Sequence, residues 1–211
     1  MKIGVLALQG DFEEHISVLT KLGAETAEVR LPEQLGDLDG LIIPGGESTT
    51  IARLLARWQL LSPIRRRALA GMAVWGTCAG AILLAERATG LDREGLRLMD
   101  IAVERNAYGR QVDSFEAELS VPTFGSRPFH AVFIRAPRIS EVGAKAMPLA
   151  CLADGTAVAA QQDKLLATAF HPELTDDARF HQHFLALAAA SPPATIRETE
   201  SQAATGVRRP A

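Results

Sequence analysis

Cys78 stands in Gly76-Thr77-Cys78-Ala79-Gly80, between an apolar stretch and the run Ala81-Ile82-Leu83-Leu84-Ala85. A tight strand-to-helix turn with small neighbours exposes a nucleophile at the carboxyl edge of a sheet, and a helix start favours the thiolate through its dipole. Free cysteine also serves as a small buried hydrophobe, and this segment alone leaves both uses open. The other cysteine, Cys151, lacks the glycine frame. A thiol nucleophile needs a base, and His171 in Phe170-His171-Pro172-Glu173 is the candidate. In an extended segment residues two apart point to one side, and Pro172 biases His171 toward an extended backbone. Glu173 can then fix the imidazole tautomer, the third role in a Cys-His-acid triad, or it can simply be a solvated loop carboxylate.

Pro44-Gly45-Gly46-Glu47-Ser48-Thr49-Thr50 follows an apolar strand and precedes a helix. Consecutive glycines let backbone amides approach an anion, but neither nucleotide-binding glycine signature is present. A glycine turn with Ser48 or Thr49 as helix cap explains the same residues. His181 and His183 fall two apart on a predicted helix, hence on nearly opposite sides, which suits surface and seam residues better than a chelating pair. His15 in the first helix and His130 at the start of a strand are read as structural. A metal centre would need ligands beyond His171 and Glu173 that the sequence does not nominate, so none is expected.

These residues must be held by a sheet. Residues 3–8 form an apolar strand, Asp11 with Glu14 three positions later reads as a helix cap, and Ile16, Leu19 and Leu22 run at helical spacing to Gly23. The grammar repeats: strands near 27–30 and 40–43, helices near 49–58 and 63–70, then a strand before Cys78. Strands alternating with helices predict a mainly parallel sheet. Segments 115–121, 130–134, 157–161 and 165–170 read as strands separated by turns, predicting an antiparallel extension of that sheet. A last helix is expected from about 176 to 190.

The chain has 211 residues, with 47% hydrophobic and 22% charged positions, which suits one globular α/β core and excludes collagen-like and disordered classes. A net charge of −3 offers no basic excess for nucleic acid. Two cysteines make no disulfide framework and favour a reducing compartment. Residues 68–85 run uncharged, but Gly71, Gly76, Thr77 and Gly80 interrupt them, so no membrane span is expected. Residues 191–211 hold only Ile196 and Val207 among Leu, Ile, Val and Phe, and are expected to be a disordered tail after a 1–190 domain.

Together the Cys78 and His171 motifs resemble those of the class I, triad-type glutamine amidotransferases. Leu8-Gln9-Gly10-Asp11, the Pro44 to Thr50 loop and Arg105-Asn106-Ala107-Tyr108-Gly109-Arg110-Gln111-Val112-Asp113-Ser114-Phe115 narrow the resemblance to the glutaminase subunits of pyridoxal 5′-phosphate synthase. It spans about residues 1–190, with Trp75 and Ala81 standing where the family more often has Tyr and Met. The resemblance implies a flavodoxin-like α/β fold with a mainly parallel central sheet flanked by helices. It implies Cys78 as nucleophile, His171 as base and acid, and Glu173 as its orienting carboxylate. Backbone amides of Gly46 and Ala79 would form the oxyanion hole. Glu47, Ser48, Arg105, Ile134 and Arg135, with Gly46, would line the glutamine site, Glu47 meeting the substrate ammonium and the arginines its carboxylate.

By the same resemblance the enzyme needs no cofactor, is cytoplasmic, and delivers ammonia to a separate synthase subunit. Ammonia released without that partner would be lost to solvent, so an idle glutaminase is expected, completed on docking through Gln9, Gly10 and Gly45. An α/β cysteine hydrolase of other substrates and a silent glutamine-binding module are the rivals. The Gly46-Glu47-Ser48 loop and Arg105 speak against the first, and retention of all three triad members against the second.

Overall fold

The computed structural model describes residues 1–105 and 114–190. The expected disordered tail and most of the Arg105 to Phe115 motif lie outside the described residues. The chain runs β1 (Lys2–Leu6), α1 (Phe12–Lys21), β2 (Glu25–Val29), β3 (Gly40–Ile43), α2 (Ser48–Arg57), α3 (Leu61–Leu69), β4 (Ala73–Thr77) and α4 (Ala79–Leu84). It continues through β5 (Ala85–Thr89), β6 (Met99–Glu104), β7 (Ser114–Leu119), β8 (Phe129–Ile134), β9 (Arg138–Val142), β10 (Met147–Cys151), β11 (Ala157–Gln162), β12 (Leu165–Thr168) and α5 (Arg179–Ala189).

Seven strands form the main sheet in the order β10-β11-β12-β4-β3-β1-β2, parallel from β12 to β2 and antiparallel at β10 and β11. Alternation along each strand feeds two cores. In β3, Leu41 and Ile43 face the cluster built with Ile51, Leu55 and Ile64 of α2 and α3, while Ile42 faces Trp75, Phe180 and Phe184 on the other side. Burying strands on both faces is what makes them read as continuous apolar runs.

The antiparallel part differs from the expectation. Residues 157–162 do extend the main sheet, together with β10, but β7 and β8 pair only with each other, and β5-β6-β9 form a third sheet. Strands β5 and β9 carry mostly polar residues on exposed faces, so alternation gives them away poorly. Helix α5 starts at Arg179 rather than 176, because Asp177 accepts from the Arg179 backbone N–H at 3.2 Å and ends the preceding loop there. Asp11 does not cap α1 through its side chain. His181 is not a surface residue: it and His15 are fully buried beside Trp75.

The register explains how distant motifs converge. Thr77 of β4 pairs with Thr168 of β12, so Cys78 and the segment reaching His171 leave the sheet side by side. Cys78 donates its backbone N–H to the Thr168 carbonyl at 2.8 Å. On the other flank Gly76 pairs with Ile43 of β3, which leads into Pro44-Gly45-Gly46. These carboxyl ends of parallel strands are where open α/β sheets bind ligands.

Helix α4 lies so close to β3 that a Cβ on Gly80 would sit 2.0 Å from the Ile43 carbonyl oxygen, and one on Gly76 would sit 2.4 Å from Gly80. Backbone cannot yield as a side chain tip can. Gly80→Ala is therefore expected to cost about 3 kcal/mol, at the upper end for overpacking. In a chain of this size that lowers Tm by roughly 6–12 °C, which thermal unfolding will measure.

Candidate active site

Cys78 occupies the turn between β4 and α4 with φ 47°, the left-handed conformation of a strained elbow. Its sulfur is nearly buried and lies 4.0 Å from the Ile134 carbonyl oxygen. Across the groove, His171 Nδ1 is 2.7 Å from Glu173 Oε1, and His171 and Cys78 line the same cavity. The ring thus has an orienting carboxylate on Nδ1 and leaves Nε2 for the sulfur. A 3₁₀ turn at Pro172–Leu174, and not an extended segment, brings Glu173 back onto the ring.

Burial works against a charged His171, but the hydrogen bonds and charges of Cys78 and Glu173 outweigh it and push its pKa up to about 10. Burial pushes the Glu173 carboxyl up, while His171 pulls it back. A ring so placed can hold a proton and give it to a leaving group.

The groove encloses a cavity of about 360 Å³ whose wall includes Gln9, Gly10, Gly46, Glu47, Ser48, Cys78, Ala79, Arg105, Ile134, Arg135 and His171. Two expected residues stand behind that wall. Gly45 packs so tightly on the imidazole that a Cβ there would lie 2.4 Å from His171 Cε1, and Glu173 is covered by the ring it orients. Ser48 lines the cavity, and its Oγ is buried without a hydrogen-bond partner among the described residues. Ala79 opens α4, where a backbone N–H has no intrahelical acceptor.

Glu47 is not a free carboxylate. It caps α2 by accepting from Thr49 and Thr50, and it pairs with Arg105 at 2.5 Å. Burial raises its pKa, but the hydrogen bonds from Thr49 and Thr50 outweigh that and hold it at about 2. Neither Ser48 nor Thr49 is the cap. Gln9 Oε1 accepts from the Glu47 backbone N–H at 2.8 Å, and Asp11 donates its N–H to Gly45 at 3.3 Å, tying the β1 loop to the glycine loop.

Sequence reasoning missed Asp11, whose Oδ2 lies 3.5 Å from His171 Nδ1. Asp11, His171 and Glu173 bring donor atoms within 4.8 Å of one another, the nearest approach to a metal-binding set among the described residues. The 2.7 Å from His171 to Glu173 is a direct hydrogen bond, shorter than the roughly 3.3 Å edge of a tetrahedral zinc site.

It also missed a buried polar pair behind the site. His15 Nδ1 is 3.0 Å from His181 Nε2. Burial holds both rings neutral, His15 well below 6.5 and further lowered by His181 and His171, and His181 at about 3. The unfolded chain charges them freely. Their stabilisation is full above about pH 6.5 and is lost as pH falls toward 3. Tm is expected to drop across that interval, and His181→Phe to flatten the slope.

Sheet, elbow and pocket together define an open-sheet α/β protein with a cysteine and a histidine on one cavity wall at the carboxyl edge. The chain belongs to the SNO glutamine amidotransferase family, whose model matches residues 5–189. It is 62% identical over 190 residues to the pyridoxal 5′-phosphate synthase subunit PdxT of Herpetosiphon aurantiacus, covering 89% of this chain and 100% of that protein. The protein of the same name from Chloroflexus aurantiacus is 57% identical, with the same coverage. A crystal structure of a glutamine amidotransferase superposes with a TM-score of 0.83 at 48% identity, covering 89% of this chain and 99% of that one. No helix among the described residues is long and apolar enough to cross a membrane.

Proposed function

We propose that this chain is the glutaminase subunit of pyridoxal 5′-phosphate synthase, hydrolysing L-glutamine and passing ammonia to a synthase subunit in the cytoplasm. One observation carries the chemistry: Cys78 and His171 leave neighbouring parallel strands into one cavity, and the imidazole is hydrogen-bonded through Nδ1 to Glu173. The relatives' shared name supports the partner.

In this mechanism Cys78 sulfur attacks the side-chain carboxamide carbon of glutamine after giving its proton to His171. The carbonyl becomes an oxyanion held by the backbone amides of Gly46 and Ala79, each such donor being worth about 3 to 4 kcal/mol. The C–N bond breaks as His171 returns the proton to nitrogen, releasing ammonia and leaving a glutamyl thioester. Water, deprotonated by His171, attacks the thioester; glutamate leaves and the sulfur takes back its proton. Ser48, Arg105, Ile134 and Arg135 hold the amino-acid end. Because Glu47 already neutralises Arg105, glutamine binding must share or exchange that pair.

Gln9, Gly10 and Gly45 form the strap that docking adjusts, supported by the bonds joining the β1 loop to the glycine loop. The test is glutamate release by the chain alone and with the synthase subunit. Slow release that rises sharply on adding the partner is expected; no release in either case would overturn the assignment. We also assign the whole activity to residues 1–190, supported by relatives that match the chain over 190 residues. Truncation after Ala190 is expected to leave the glutamate release rate unchanged, and a large fall would put part of the working unit in the tail.

A further inference from the structure

Behind the imidazole lies a second line of polar groups that the mechanism above does not use. Glu173 Oε2 is buried and has no hydrogen-bond partner among the described residues. The ring nitrogen that approaches it is His15 Nε2, at 3.4 Å; the same nitrogen is hydrogen-bonded to Thr77 Oγ1 at 3.3 Å, so Oε2 is within reach of a donor that Thr77 shares. On its far side His15 Nδ1 meets His181 Nε2. His15 comes from α1, Thr77 from the end of β4 and His181 from α5, so three elements meet at the imidazole that stands behind the carboxylate.

The donors and acceptors admit a consistent assignment. An ionised Glu173 only accepts, so a nitrogen that serves Oε2 must carry its proton. A neutral His15 protonated on Nε2 has a bare Nδ1, which needs a donor. His181 supplies it from Nε2, leaving its own Nδ1 as the buried atom without a partner. A bare acceptor is easier to bury than an orphaned N–H. We propose that His15 is a positioning residue for glutamine hydrolysis: held in the Nε2–H tautomer by His181, it donates to Glu173 Oε2 and keeps that carboxylate turned toward His171. The inference rests on the glutaminase assignment.

The alternative is that His15 merely fills space beneath Trp75. The two differ in pH dependence. The groups facing Glu173 are His171, His15 and Asp11, with Cys78 beyond the His171 ring and His181 beyond His15. Burial and the Asp11 charge both favour the protonated carboxyl. Removing the His15 donor leaves His171 and a backbone hydrogen bond to oppose them, so the pH at which Glu173 ionises must rise.

The test measures glutamate release against pH for the chain in complex with the synthase subunit. In His15→Leu, kcat is expected to fall about tenfold to a hundredfold, by analogy with outer partners of metal-binding histidines. KM for glutamine should stay within about twofold, the sign of an interaction that does not bind substrate. The acid limb of the profile should move to higher pH. His15→Gln, which keeps an N–H at similar reach, should recover much of kcat and return the limb toward wild type. His181→Gln, acting one step further out, should shift the limb the same way by less, and it decides the matter if His15→Leu does not fold. Unshifted acid limbs in the folded variants overturn the role of His15 while leaving the glutaminase assignment intact. Absence of turnover in the wild-type complex overturns the assignment itself.

Discussion

Replacing Cys78 with alanine is expected to lower glutamate release by the complex by about a thousandfold or more, because only the oxyanion donors and substrate binding then remain. The change should leave the fold intact. Alanine keeps the Cβ and the same backbone requirement at φ 47°, and the lost sulfur lines the existing cavity, so its removal enlarges that cavity and leaves no sealed void in the core. Ammonium salts supplied from outside should still drive pyridoxal 5′-phosphate formation, since they bypass the thiol. Glutamate release compared with ammonium-driven product formation separates the outcomes. Full glutamine-driven activity would remove Cys78 from the chemistry, whereas loss of the ammonium-driven reaction would make it a structural element of the docked surface.

The parts of this site that were legible in the sequence are those written locally. The parallel core was readable because the buried strands are short apolar runs, and the elbow because small residues frame Cys78 on both sides, Gly76 demanded by the nearby Gly80 backbone and Gly80 by the neighbouring strand at Ile43. His171 and Glu173 are two apart, so their pairing survived even though the backbone between them turns instead of extending. What lay hidden depends on how elements are laid against one another. Asp11 reads as a helix cap from its neighbours alone, and only the packing of α1 beside the Pro172–Leu174 turn aims its carboxylate at the imidazole. His15 and His181 are 166 positions apart. Helical spacing set His181 and His183 on different sides of α5 but could not say which side met the sheet; Trp75 and Phe184 decide that. That Glu47 also caps α2 and pairs with Arg105 from the end of β6 depends on the placement of α2 and was hidden in the same way.

Glu173→Gln tests how far the orienting carboxylate matters, and it preserves shape while removing charge. Glu173 Oε1 accepts from His171 Nδ1, and Oε2 faces the Nε2 side of His15. A glutamine amide can satisfy one of these and not both. If its carbonyl oxygen faces His171, its NH₂ points at His15 Nε2–H, donor against donor. If it flips to relieve that, the NH₂ meets His171 Nδ1 and drives the ring into the tautomer that carries its proton on Nε2, where it cannot take one from sulfur. In either orientation the imidazolium formed during attack loses the Glu173 charge, and burial, the largest influence on this ring, is then opposed chiefly by Cys78, so the pKa falls from about 10. A fall in kcat of about a thousandfold to ten-thousandfold is expected, the loss that follows the equivalent carboxylate-to-amide change in serine proteases. KM for glutamine should be little changed, since Glu173 lies behind the ring and outside the cavity wall. A pH–rate profile of the complex decides it: retention of substantial activity with an unmoved His171 limb would mean that the ring is held by Gly45 and the β1 loop alone, and that Glu173 contributes only to packing.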